Sequence, residues 1–158
     1  MGEYLAAIAV AAVVGAGVVT GLLWAFSNFI LRALRDLPPE HGMFAMQRIN
    51  ERILNPLFFV FFMGTPVLCG LVAAGALLDL QRAGSGWLLA GALAYLAGPF
   101  GITLAFNVPL NDRLAKAPAG DAATAWPDYA VRWQRWNHLR SYFGILSVAL
   151  LATGLAAG

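Results

Sequence analysis

Residues 4–30, YLAAIAVAAVVGAGVVTGLLWAFSNFI, contain no Asp, Glu, Lys or Arg. A helix rises ~1.5 Å per residue, so about 18 or more apolar residues cross the roughly 30 Å hydrocarbon core of a bilayer. The stretch predicts a membrane-spanning helix. Three further charge-free runs follow, at residues 55–78, 84–110 and 141–158. All are too long and too clean for the buried helices of a soluble core. The expected fold is all-α: a four-helix transmembrane bundle with helices two and four extended on the cytoplasmic side. The four spans and their loops use the whole chain, so residues 1–158 form a single four-span membrane domain.

Composition and charge agree. The chain is 60% hydrophobic and 11% charged, against about 25% charged in an ordinary soluble domain. Nine of its ten basic residues lie between runs one and two or between runs three and four; Arg82 alone lies between runs two and three. The positive-inside rule then places both long loops in the cytoplasm and both termini outside. The expected location is the bacterial inner (plasma) membrane. The opening Met-Gly-Glu-Tyr has no basic region, and its apolar run is longer than that of a signal peptide, so it reads as a retained first span. The single cysteine, Cys69, makes no internal disulfide and no C-x-x-C pattern. Nothing in the pattern suggests nucleic acid as a partner.

Within the runs, proline and small residues suggest local geometry. The first helix should reach about Leu34 and break at Leu37-Pro38-Pro39. Residues 43–54 are helical in pattern and should lead into span two as one long helix, bent at Pro56 and Pro66. Gly98-Pro99 predicts a kink in span three. Pro127 is expected to start the last helix. Gly17-x-x-x-Gly21 is a small-xxx-small pattern of the kind that packs membrane helices, and Ala25, Asn28 and Arg32 continue its face. In span four Trp133, Asn137, Arg140, Gly144, Ser147 and Gly154 share a face.

Most of the amides lie at the cytoplasmic ends of the helices: Asn28, Gln47, Asn50, Asn55, Asn107, Asn111 and Asn137. An amide in hydrocarbon without a partner costs several kcal/mol. These groups are expected to converge on each other, on backbone or on a ligand, in a cavity walled by Trp133, Trp136 and Tyr142. Structural capping and interhelical hydrogen bonding account for the same amides, and Arg140 at the start of an apolar run also fits a boundary residue. Two histidines without a second histidine one turn away make no zinc or di-iron array, so no metal site is expected. A haem bound through His138 stays open.

The ordered set Asn28, Met46-Gln47-Arg48-Ile49-Asn50, Asn55-Pro56, Phe106-Asn107-Val108-Pro109-Leu110-Asn111 and Trp133-Gln134-Arg135-Trp136-Asn137-His138-Leu139-Arg140 resembles the DUF1772 integral membrane family, which includes the fungal anthrone oxygenases. The resemblance runs from span one to span four. It implies a four-span membrane protein and an oxygenase that adds O2 to an aromatic or polyketide-type carbanion with no evident cofactor. Such chemistry needs a flat apolar pocket, a base and donors for an enolate oxygen. Histidine is the side chain whose ordinary pKa lies nearest neutrality, so His138 is the first candidate base and Glu51 the second. Arg140 is placed with them as a catalytic candidate, donating to the oxyanion. Asn28, Gln47, Asn50, Asn107, Asn111, Trp133, Trp136 and Asn137 are the candidate substrate-binding residues. The competing reading is a non-enzymatic membrane binding protein or small subunit that holds a quinone, haem or lipid headgroup. Membrane lipid and a small hydrophobic aromatic or quinone-like ligand are the expected partners under either reading, and a homo-oligomer remains open.

Overall fold

The structure, a computed structural model, describes residues 2–158. Five α-helices account for nearly all of them: α1 (Glu3–Arg35), α2 (Pro39–Arg52), α3 (Pro56–Leu78), α4 (Ser85–Ala115) and α5 (Ala122–Ala157). All except α2 are long and apolar enough to cross a membrane. The protein is an all-α bundle with the architecture of a multi-pass membrane protein.

The bundle has two halves. In the half that holds both termini, Ala9, Ala12, Ala16, Cys69, Val72, Ala76, Ala92 and Leu151 form a core of mostly small side chains. Small residues let membrane helices approach closely, where dispersion and not water exclusion holds them together. The other half carries nine of the ten basic residues. There α2 folds back across the bundle and sets Met43 and Met46 against Leu31, Leu114, Trp126, Tyr129 and Trp133.

Helices α2 and α3 are separate, which corrects the expectation of one long helix. The chain breaks at residues 53–55, where the Asn55 side chain caps α3 by accepting the Phe58 N–H at 3.0 Å. Pro56 follows at a first-turn position, where its missing N–H costs nothing. Helix α5 begins at Ala122, ahead of Pro127, after a short 3-10 turn at Ala119–Asp121. Its 36 residues span about 54 Å, so it runs well past its apolar segment at the basic end.

Around Gly98-Pro99, span three departs from regular α-helix. Leu96–Asn107 is wound in wide i→i+5 turns, with the Val108 N–H donating to the Thr103 carbonyl. Wide turns absorb Pro99, which has no N–H to give. A second wide segment occupies Phe26–Ile30 of α1.

The packing face of α1 is also not the glycine face. Gly17, Gly21, Asn28 and Arg32 are exposed, and a Cβ on Gly17 or Gly21 would meet nothing. The face that packs runs through Ala9, Ala12, Ala16, Val19, Leu23 and Ser27. By contrast, a Cβ on Gly98 would run into Phe143 and one on Gly144 into Thr20. Gly98→Ala is therefore expected to destabilise the bundle by about 1–3 kcal/mol, despite alanine's better helix propensity. Gly17→Ala should be neutral or gain up to ~1 kcal/mol. Thermal unfolding in detergent compares the two; equal melting temperatures would contradict the packing.

Candidate functional site

A chamber of about 320 Å³ lies in the basic half, walled by all five helices. Most of its wall is apolar, with Phe26, Met46, Phe58, Phe62 and Leu104 among the lining residues. The polar part of the wall comprises Gln47, Asn50, Glu51, Thr103, Asn111, Asp112, Trp133 and Arg140.

Arg140 is the unusual member. It is only 6% exposed, immediately before the charge-free run of α5. Its side chain doubles back over one turn of α5, so that Nε and Nη2 donate to Asn137 Oδ1 at 3.0 and 2.8 Å. Nη1 donates to Thr103 Oγ1 on α4 at 2.8 Å. The guanidinium carbon stands 5.0 Å from the centre of the Trp133 ring, a distance at which the ring face attracts a cation. These acceptors are all neutral. The ion pairs among the described residues, Arg48–Glu51 and Arg132–Asp128, lie on the exposed surface and leave Arg140 without a carboxylate. A guanidinium has five N–H donors, and these contacts use three of them.

Asn137 is what holds the arginine in place. It is fully buried, and its Nδ2 donates to the Leu23 carbonyl at 2.9 Å and to Ser27 Oγ at 2.7 Å. With Oδ1 on Arg140, the amide is saturated. Ser141 donates to the Asn137 carbonyl at 2.7 Å and meets Ser27 Oγ at 3.0 Å. Thr103 donates its own proton to the Pro99 carbonyl at 2.5 Å, which turns its lone pairs toward Arg140. The network ties α1, α4 and α5 around one cation.

A second polar group lies nearer the end of the bundle. Asn111 Oδ1 accepts from Trp133 Nε1 and from the Tyr129 hydroxyl, both at 2.9 Å. Asn50 Nδ2 approaches the same hydroxyl at 3.5 Å, and Gln47 donates to the Leu114 carbonyl at 2.8 Å. Trp133 thus joins the two groups, its ring beneath Arg140 and its N–H on Asn111.

Six residues singled out by sequence line the chamber together: Gln47, Asn50, Glu51, Asn111, Trp133 and Arg140. Asn137 supports Arg140 from behind. Asn107 is buried, donates to the Trp133 carbonyl at 3.3 Å and leaves its Oδ1 without a partner. Asn28 is exposed, and Ser27 takes the inward position beside it. Trp136 stacks on Phe106 outside the chamber, with ring centres 3.7 Å apart. His138 is half-buried on the flank of α5 near Tyr142 and is not part of the lining. A haem ligated by His138 would therefore lie on that flank and not in the chamber. Sequence reasoning missed Ser27, Thr103, Tyr129 and Ser141. The i, i+4 spacings of Tyr129 with Trp133 and of Asn137 with Ser141 are the signals that carried Tyr129 and Ser141.

The chamber has a side opening. Helices α3 and α4 pack together in the half with the termini and part toward the basic end. Leu54, Phe59, Met63, Leu104 and Val108 line the chamber there and are themselves exposed. In a bilayer this mouth faces acyl chains.

A family profile described as anthrone oxygenase matches residues 58–150, from the first turn of α3 through most of α5. Thr103, Asn111, Trp133, Asn137 and Arg140 fall within the matched segment. No curated protein and no solved structure matches the chain.

Proposed function

Because the chain belongs to the anthrone oxygenase family, we propose that it is a membrane-embedded oxygenase acting on a flat, hydrophobic aromatic ketone in the Arg140 chamber. The observation that carries this reading is a buried arginine, without an acidic partner, on the wall of an otherwise apolar chamber. Such a cation is costly in hydrocarbon unless something negative meets it. A neutral aromatic ketone enters from the bilayer between α3 and α4. Loss of a proton from the carbon activated by the carbonyl creates an enolate, whose oxygen takes the remaining N–H donors of Arg140. The negative charge arises only during reaction, so the arginine favours the transition state over the bound ketone.

The carbanion then joins O2. Loss of water from the resulting hydroperoxide leaves a second ketone, so a methylene and O2 yield a carbonyl and water. Glu51 lines the chamber while pairing with Arg48 at its outer edge, and this reading gives it the role of base. His138, on the flank near Tyr142, then takes no part in the proton transfer. The basic end faces the cytoplasm, because nine of the ten Lys and Arg residues gather there.

Purified protein in lipid nanodiscs is expected to accelerate O2 uptake by an anthrone over protein-free nanodiscs, with a quinone as product. Unchanged uptake would sink the oxygenase reading. The position of His138 outside the chamber supports a second reading, in which the chamber holds a quinone-type ligand without turning it over. Under that reading the ligand co-purifies or binds saturably while O2 uptake stays at background.

A further inference from the structure

The outer face of α4 and α5 carries a separate groove of about 580 Å³. We propose that it binds the headgroup and upper acyl chain of an anionic phospholipid. Three arginines form its rim: Arg113 from α4, and Arg132 and Arg135 from α5. Its floor is apolar, with Ala105, Leu139 and the stacked rings of Phe106 and Trp136.

The order of residues along the helices gives the groove a direction. On α4, Ala105 lies about 12 Å deeper than Arg113, at ~1.5 Å per residue. On α5, Arg132, Arg135, Trp136 and Leu139 fall on one face at i, i+3, i+4 and i+7. Past Leu139 and Arg140 the chain becomes charge-free to its last residue. The apolar floor therefore sits at acyl-chain depth and the arginines at headgroup depth. Arg132 is paired with Asp128 at 2.9 Å. Arg113 and Arg135 make no ion pair among the described residues. Two free guanidiniums above an apolar slot match a phosphodiester above its hydrocarbon chain. Arginine presents a planar fork suited to phosphate oxygens, and basic pockets at this depth between spans take anionic headgroups. The flat Phe106–Trp136 wall keeps the slot open against the chain. The groove and the chamber have no lining residue in common, so the proposal stands apart from the oxygenase reading.

Native mass spectrometry of the delipidated full chain, titrated with phosphatidylglycerol or phosphatidylcholine in mixed micelles, tests it. Phosphatidylglycerol should bind with a clear preference. The double variant Arg113→Ala/Arg135→Ala should weaken that binding by about 10- to 30-fold, and the double lysine variant should keep most of it. Arg52→Ala, at the same end of the bundle but outside the groove, should bind like the parent. If the double alanine variant does not run as a monodisperse species, Arg113→Gln and Arg135→Gln are measured singly, each with an intermediate loss. Equal binding of the two lipids, or full binding by folded arginine variants, would overturn the proposal. So would displacement of phosphatidylglycerol by inorganic phosphate alone, which would mark a site for the free anion.

Discussion

Arg140→Met is expected to cut substrate-dependent O2 uptake by about 10²–10³-fold, the usual cost of losing one donor to a developing oxyanion, or roughly 3–4 kcal/mol. The loss should fall on kcat. The neutral ketone is held by the apolar wall, which the substitution leaves intact, so KM should change little. Arg140→Lys keeps a positive charge but not the fork that grips Asn137 and Thr103, and should fall between the two. Stability offers the control. Loss of the buried charge offsets part of the cost of stranding Asn137 Oδ1, about 1–3 kcal/mol, so the melting temperature should drop by a few degrees while the rate falls about 100-fold or more. Arg52→Met removes a charge from the same end of the bundle and should leave turnover unchanged. A folded Arg140→Met protein with parental kcat would remove the oxyanion role.

Asn137→Leu is expected to be the most destabilising single change in the bundle. It leaves the Arg140 guanidinium buried without the acceptor that takes two of its three hydrogen bonds, and it strips Ser27 and the Leu23 carbonyl of a donor. Leaving a buried charge without its hydrogen-bonding acceptor costs about 3–5 kcal/mol. For a chain of this length that is a drop in melting temperature on the order of 10 °C. Adding Arg140→Met to Asn137→Leu should recover part of the loss, because the stranded charge goes with it, and the double-mutant cycle gives the coupling directly. Asn28→Leu is the contrast: an exposed amide whose replacement should change stability by within about 0.5 kcal/mol. Similar losses at Asn28 and Asn137 would mean that the two amides are equally engaged.

The contrast between these asparagines shows how far a linear pattern reaches. Both are amides near the same end of an apolar helix, and both extend a run of small residues. On α1, alanines and glycines repeat at helical spacing along two faces. Alanine admits a neighbouring backbone almost as closely as glycine, so small size alone does not choose between Ala9-Ala12-Ala16 and Gly17-Gly21. The partners choose: α3 and α5 take the alanine face, which carries Ser27 inward and Asn28 out. On α5 the face through Trp133, Asn137, Arg140 and Gly144 was legible from spacing, because glycine, amide and cation all agreed with it. His138, one residue from Asn137, is turned about 100° around the helix and falls on the flank.

The segment between spans one and two failed for a different reason. Residues 43–54 have helical periodicity and run into an apolar stretch, and the same pattern suits a continuous helix or two helices. Asn55-Pro56 carries the stop, since asparagine caps a helix start and proline suits its first turn. The break lets α2 fold back and roof the chamber with Met46, Gln47 and Asn50.

Four spans and the basic side of the bundle are legible in the chain alone, because hydrophobicity and charge are summed over a local segment and need no knowledge of neighbours. The chamber, the unpaired Arg140 within it and the saturation of Asn137 are not. They depend on how α1, α4 and α5 are rotated about their own axes. In a bilayer, where lipid is as apolar as leucine, that rotation is set by close packing and by hydrogen bonds between residues more than a hundred positions apart, such as Ser27 and Asn137.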